Sequence, residues 1–119
     1  MDSNQLIQRT KLFALEVIRF FQGLPKTDEA NIIGKQLLRS GTSVASNYRA
    51  ACRSRSKHEF YAKICIVVEE SDESLFWLEL IRDSSIQNKD KSKILMKEAE
   101  ELLYIFAASR KSLKLNLNQ

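Results

Sequence analysis

Apolar residues recur along this chain at intervals of three and four, in four stretches separated by polar joints. The pattern is cleanest near the C-terminus, where Leu95, Ala99, Leu102, Phe106, Ser109 and Leu113 follow an unbroken 4-3-4-3-4 spacing. That spacing is the seam of a bundle or coiled coil. Upstream, the same rhythm runs through Leu6, Phe13, Val17, Phe20 and Phe21, then through Ile33, Leu37, Gly41, Val44, Tyr48 and Ala51. It continues through Phe60, Ile64, Val67, Ser71, Leu75 and Leu78. The spacing predicts helices over about 4–22, 28–52, 57–82 and 89–114.

The joints carry the matching stop and start signals. Gly23 suits a left-handed position after the first helix, Pro25 cannot continue it, and Thr27 with Asp28 and Glu29 suits the start of the second. Ser56 and Glu59 have the capping-box spacing at the start of the third. Polar residues from Asp83 to Asp90 make the last joint. Short joints force neighbouring helices antiparallel, so the expected fold is all-α, an up-down-up-down four-helix bundle forming one domain over 1–119.

Two helices depart from a plain amphipathic pattern. The second is rich in small residues, including Ser40, Gly41, Thr42, Ser43, Ala45, Ser46, Ala50 and Ala51, which let another helix approach closely. In the third, only Glu79 is polar between Leu75 and Ile81. A bundle hides one stripe of a helix, so Phe76, Trp77 and Leu80 are expected to need cover from another copy of the chain, the alternative being a second neighbouring helix within it.

Composition narrows the function. Hydrophobic residues make up 44% and charged residues 29%, ordinary values for a globular chain, with only three glycines and one proline. No apolar run approaches the roughly 20 residues that span a bilayer. Met1-Asp2-Ser3-Asn4-Gln5 lacks the basic start and apolar run of a signal peptide, so a cytoplasmic location and no membrane partner are expected. Cys52 and Cys65 have no metal-type spacing and read as small reduced hydrophobes. Di-metal bundles need Glu-x-x-His pairs, and the one histidine, His58, has no glutamate at 55. No phosphate loop and no nucleophile beside a base occurs. No metal, cofactor, catalytic residue or small-molecule substrate is therefore expected.

Charged residues suggest two arrangements. Folding the second and third helices back near 54–55 sets Arg39 level with Glu70, within reach of Glu69 or Glu73, as an interhelical or intersubunit pair. Asn47 falls level with Ala62 and is expected to bond a neighbouring helix. The same folding brings residues 1–19, 46–64 and 105–119 to one end. Eleven basic side chains stand there against Asp2, Glu16 and Glu59, while the rest of the chain holds eight basic and twelve acidic groups, within a net charge of +4. Arg49, Arg53, Arg55, Lys57, Arg110 and Lys111 are the residues expected to meet phosphates there.

The segment Leu37-Leu38-Arg39-Ser40-Gly41-Thr42-Ser43-Val44-Ala45-Ser46-Asn47-Tyr48 resembles the second helix of the four helix bundle protein family, the 23S rRNA-intervening sequence proteins. The likeness continues through Arg53-Ser54-Arg55-Ser56-Lys57-His58-Glu59-Phe60 and Glu69-Glu70-Ser71-Asp72-Glu73-Ser74-Leu75-Phe76-Trp77-Leu78-Glu79-Leu80. It resumes in Glu98-Ala99-Glu100-Glu101-Leu102-Leu103 and Ala108-Ser109-Arg110-Lys111. Many members carry a Glu-Gly pair where Ala50 and Ala51 stand here. The resemblance implies a bacterial four-helix bundle of undefined cellular role that assembles as a ring-like homopentamer. A more distant relative, the accessory protein of diversity-generating retroelements, binds nucleic acid. The function expected is a non-enzymatic oligomer binding RNA or DNA weakly through its basic end. The competing expectation is a protein–protein interaction scaffold with no nucleic-acid role.

Overall fold

The computed structural model describes residues 1–87 and 89–118. Four helices, α1 (Ser3–Gln22), α2 (Asp28–Cys52), α3 (Lys57–Asp83) and α4 (Lys89–Leu117), form an antiparallel bundle about 50 Å long and 23 by 21 Å across. The fourth helix continues past 114 to Leu117. Each helix packs on its neighbours in the chain, and α1 closes the bundle against α4 along a shorter seam. At 1.5 Å per residue, α1 is about 30 Å long and α4 about 43 Å, so α4 overhangs it.

Local chemistry sets each helix start. Asp2 caps α1: its carboxylate accepts from the Gln5 N–H at 2.8 Å, and the Gln5 side chain accepts from the Asp2 N–H at 2.9 Å. Thr27 caps α2, its hydroxyl accepting from the Ala30 N–H at 3.3 Å. Ser56 caps α3 by accepting from Glu59 at 3.1 Å. The return arm of that box goes one residue wide, because the Glu59 carboxylate accepts from the Arg55 N–H at 3.4 Å.

The left-handed turn expected at Gly23 is absent. Gly23 has φ −88°, and its N–H bonds back to the carbonyls of Arg19 and Phe20, tightening the last turn. Leu24 then folds inward and is buried beside Gly34. The left-handed residue lies instead after α3, at Ser85 with φ 59°. There the Ile86 N–H reaches the Ile81 carbonyl and the Ser85 N–H reaches Arg82, closing the helix as a Schellman-type turn. Asn88, in the same joint, lies outside the described residues.

The predicted stripes meet in the core. Phe13, Val17, Leu37, Val44, Ile64, Leu78, Leu102 and Phe106 are all fully buried, and the rings of Tyr48 and Phe106 meet across the middle at 5.1 Å. Two of the small residues of α2 serve close packing inside the chain. Gly41 lies against Val17 of α1, and the Ser40 hydroxyl lies 2.9 Å from that of Ser74 on α3.

Candidate nucleic-acid interface

Three chain segments converge at one end of the bundle. The α2–α3 joint, the start of α1 and the last turns of α4 line a cleft of about 440 Å³ that includes Ser3, Cys52, Arg55, Lys57, Phe60 and Leu113. A smaller cleft beside it, about 320 Å³, is walled by Lys57, Leu113, Asn116 and Leu117. Arg49 and Arg53 lie one helical turn apart on exposed positions of α2, Arg53 as the residue that ends the helix. Lys57 opens α3, and Lys111 is exposed on α4. Arg110 lies close enough to Tyr61 for its charge to oppose the rise in that phenol's pKa. The rise comes from hydrogen bonding with Cys65 and from burial, and the net direction is upward.

Pairing divides the arginines. Arg9, Arg19, Arg39 and Arg82 each hold a carboxylate. Arg49, Arg53, Arg55 and Arg110 hold none among the described residues, nor do Lys57 and Lys111. Two helix N-termini and two C-termini meet at this end, so their dipoles largely offset. The field there is set by side chains. It is narrower than the sequence count suggests, because Arg9 is neutralised by α4. Its guanidinium donates to Glu98 at 2.7 and 2.8 Å and to Glu101 at 2.8 Å, and the Glu98 bonds raise its pKa further.

The polar residues expected to fix the helix pairing divide. Arg39 bonds Glu70 at 2.9 Å and also Glu73, tying α2 to α3; burial opposes its charge, and the two carboxylates outweigh it. Glu69 takes no part. It is one position, or about 100°, round the helix from Glu70 and stands exposed. Asn47 also departs from expectation. Its amide donates to the Ser43 carbonyl at 2.9 Å and hydroxyl at 2.8 Å, one turn back on its own helix, so a local partner satisfies it before a neighbouring helix can.

The proposed interface residues are not equally exposed. Phe76 stands 50% exposed, whereas Trp77 and Leu80 are half-buried. The reason is that α3 sits between α2 and α4, which cover two of its flanks. Trp77 meets Phe76 edge-on at 5.0 Å and donates its indole N–H to Glu73 at 3.2 Å.

Sequence periodicity gave no sign of a second, apolar cleft of about 500 Å³ between α1 and α4, where Leu12 and Ile94 are largely exposed. On its charged rim Glu16 is held by Arg19 and Glu98 by Arg9, while Lys91 makes no ion pair among the described residues.

No three His, Cys, Asp or Glu side chains among the described residues are grouped to hold a metal. No helix is long and apolar enough to cross a membrane. Comparison with known proteins agrees with the fold. Residues 2–108 match the family model described as 23S rRNA-intervening sequence protein. A crystal structure of a protein of unknown function from the S23 ribosomal protein family of Bacteroides thetaiotaomicron VPI-5482 is 25% identical. It superposes with a TM-score of 0.85 over 93% of this chain and 99% of that one. No curated protein matches.

Proposed function

The chain belongs to the 23S rRNA-intervening sequence protein family, and we propose that it works without catalysis, as a self-associating bundle that binds the phosphates of RNA or DNA through its basic end. The observation that carries this reading is the division of the arginines. Arg9, Arg19, Arg39 and Arg82 are spent on carboxylates inside the chain, while Arg49, Arg53, Arg55 and Arg110, around the α2–α3 joint and the adjoining stretch of α4, keep their charge unpaired among the described residues. Arg53, Arg55 and Lys57 come from one joint, and Arg110 and Lys111 from the adjoining helix.

Unpaired guanidinium and ammonium groups gathered at this end suit a polyanion held by charge. They do not form a pocket that reads base edges, and no helix presents the Asn, Gln and Arg pattern of a groove reader. One chain offers few contacts. A ring of copies, five being the number the resemblance implies, would repeat the rim and raise affinity through effective concentration.

The test is fluorescence anisotropy with labelled single-stranded RNA and duplex DNA at low salt. Affinity is expected to fall with salt, with a log–log slope of about −0.9 per phosphate neutralised on duplex and about −0.7 on single strands. Arg53→Glu with Arg55→Glu is expected to abolish binding while leaving the helical circular dichroism intact. No binding by the wild-type oligomer would overturn the nucleic-acid reading and favour a protein–protein scaffold. Binding unchanged in the double variant would place the contact on another surface.

A further inference from the structure

The outward faces of α2 and α3 carry opposite charge. Between Ile64 and Ile81, α3 contains no lysine or arginine, and its outward stripe runs Glu69, Asp72, Phe76 and Glu79 at alternating spacings of three and four. Arg39 answers Glu70 and Glu73 within the chain. Glu69, Asp72 and Glu79 make no ion pair among the described residues. In their midst Phe76 is half exposed.

The outward stripe of α2 is the complement. Ile32 is 64% exposed, Lys35 and Arg49 are exposed and make no ion pair among the described residues, and between them lie Thr42, Ser43 and Ser46. Small side chains leave that stretch low, with cations and an isoleucine standing around it. Both stripes point away from the core of the same bundle, and the Arg39 bridge runs between them. They cannot meet within one chain.

We propose that the acidic, aromatic stripe of α3 docks on the basic, small-residue stripe of α2 in a second copy of this chain; this rests on the self-association part of the reading above. Phe76 seats over Thr42, Ser43 and Ser46, and Glu69, Asp72 and Glu79 face Lys35 and Arg49. The matching three–four spacing lets two helices run alongside with their side chains in register. Opposed charge fixes the partner surface and steers the encounter. The two surfaces differ, so the contact is head-to-tail. Each copy keeps one of each surface free, and the assembly grows until rotation closes it. Arg49 then belongs to the contact, while Arg53, Arg55, Lys57, Arg110 and Lys111 stay on the rim.

A charge-swap experiment tests this. One variant carries Glu69→Lys with Asp72→Lys, the other Lys35→Glu with Arg49→Glu, all at exposed positions. By light scattering each is expected to run alone as a 13.7 kDa monomer, since its two stripes now repel. Mixed, they are expected to co-assemble in one-to-one proportion into species larger than either alone, because each reversed stripe meets its opposite on the other variant. Phe76→Ser is expected to weaken wild-type association at least tenfold with unchanged circular dichroism. A wild-type oligomer whose variants assemble normally alone overturns this docking and leaves self-association standing. A wild-type chain that is monomeric at tens of micromolar overturns both and leaves the stripes to a different protein.

Discussion

Gly41 has no room for a side chain. A Cβ there would lie 2.8 and 2.9 Å from the two methyl carbons of Val17, inside van der Waals contact with a side chain whose rotamer is stiff. Gly41→Ala is expected to destabilise the protein by about 1–3 kcal/mol, the usual cost of overpacking a filled core. Denaturant unfolding followed by the fluorescence of Trp77 measures it, and pairing the change with Val17→Ala should recover part of the loss. Ser85 is the converse case. It holds a left-handed conformation that costs an L residue about 1–2 kcal/mol and glycine almost nothing. Ser85→Gly is therefore expected to raise stability by about 0.5–1 kcal/mol, read as a later unfolding midpoint.

The helices themselves were legible because their signals are local. A three–four rhythm, a capping Thr27 and a capping Ser56 act within a few residues, and the structure places helices where they fall. Partner choice at longer range was less legible. Arg39 and Glu70 lie 31 residues apart, and the fold-back at a short joint sets them level, so counting found them. Arg9 and Glu98 lie 89 residues apart across three joints, and no count carries that far. Asn47 misled because a serine one turn away competes for its amide, a choice decided by rotamers. Gly23 misled because a glycine after a helix can end it in more than one way, and here the inward pull on Leu24 decided. The α1–α4 cleft was illegible for a further reason. It lies along the lightly packed α1–α4 seam, and how closely two helices remote in sequence pack is not written in either stripe.

At the scale of the whole molecule, charge is sorted along and around the bundle. Arg9 and Arg39 tie helix to helix, Arg19 and Arg82 pair within their own helices, and the unpaired arginines gather at the end where the α2–α3 joint meets the last turns of α4. In the reading proposed above the two uses fall on different surfaces, phosphates at the rim and another copy at the outward flanks of α2 and α3, so assembly and binding are expected to be separable by mutation. The short seam between α1 and α4 has a further effect, on time. A helix held fully on one side and lightly on the other is the part that leaves first when a protein fluctuates. Amide hydrogen exchange is expected to run faster in α1 than in the middle of α2 and α3. Arg9→Ala removes the bridge to Glu98 and Glu101 and should hasten α1 exchange several-fold, with little change in α3. Equal exchange in all four helices would mean that the bundle opens only as a unit. If α1 does open first, it does so at the α4 seam, and Phe13, Phe20 and Leu95, which line that side, meet water for brief intervals, giving the chain a door that swings on α2.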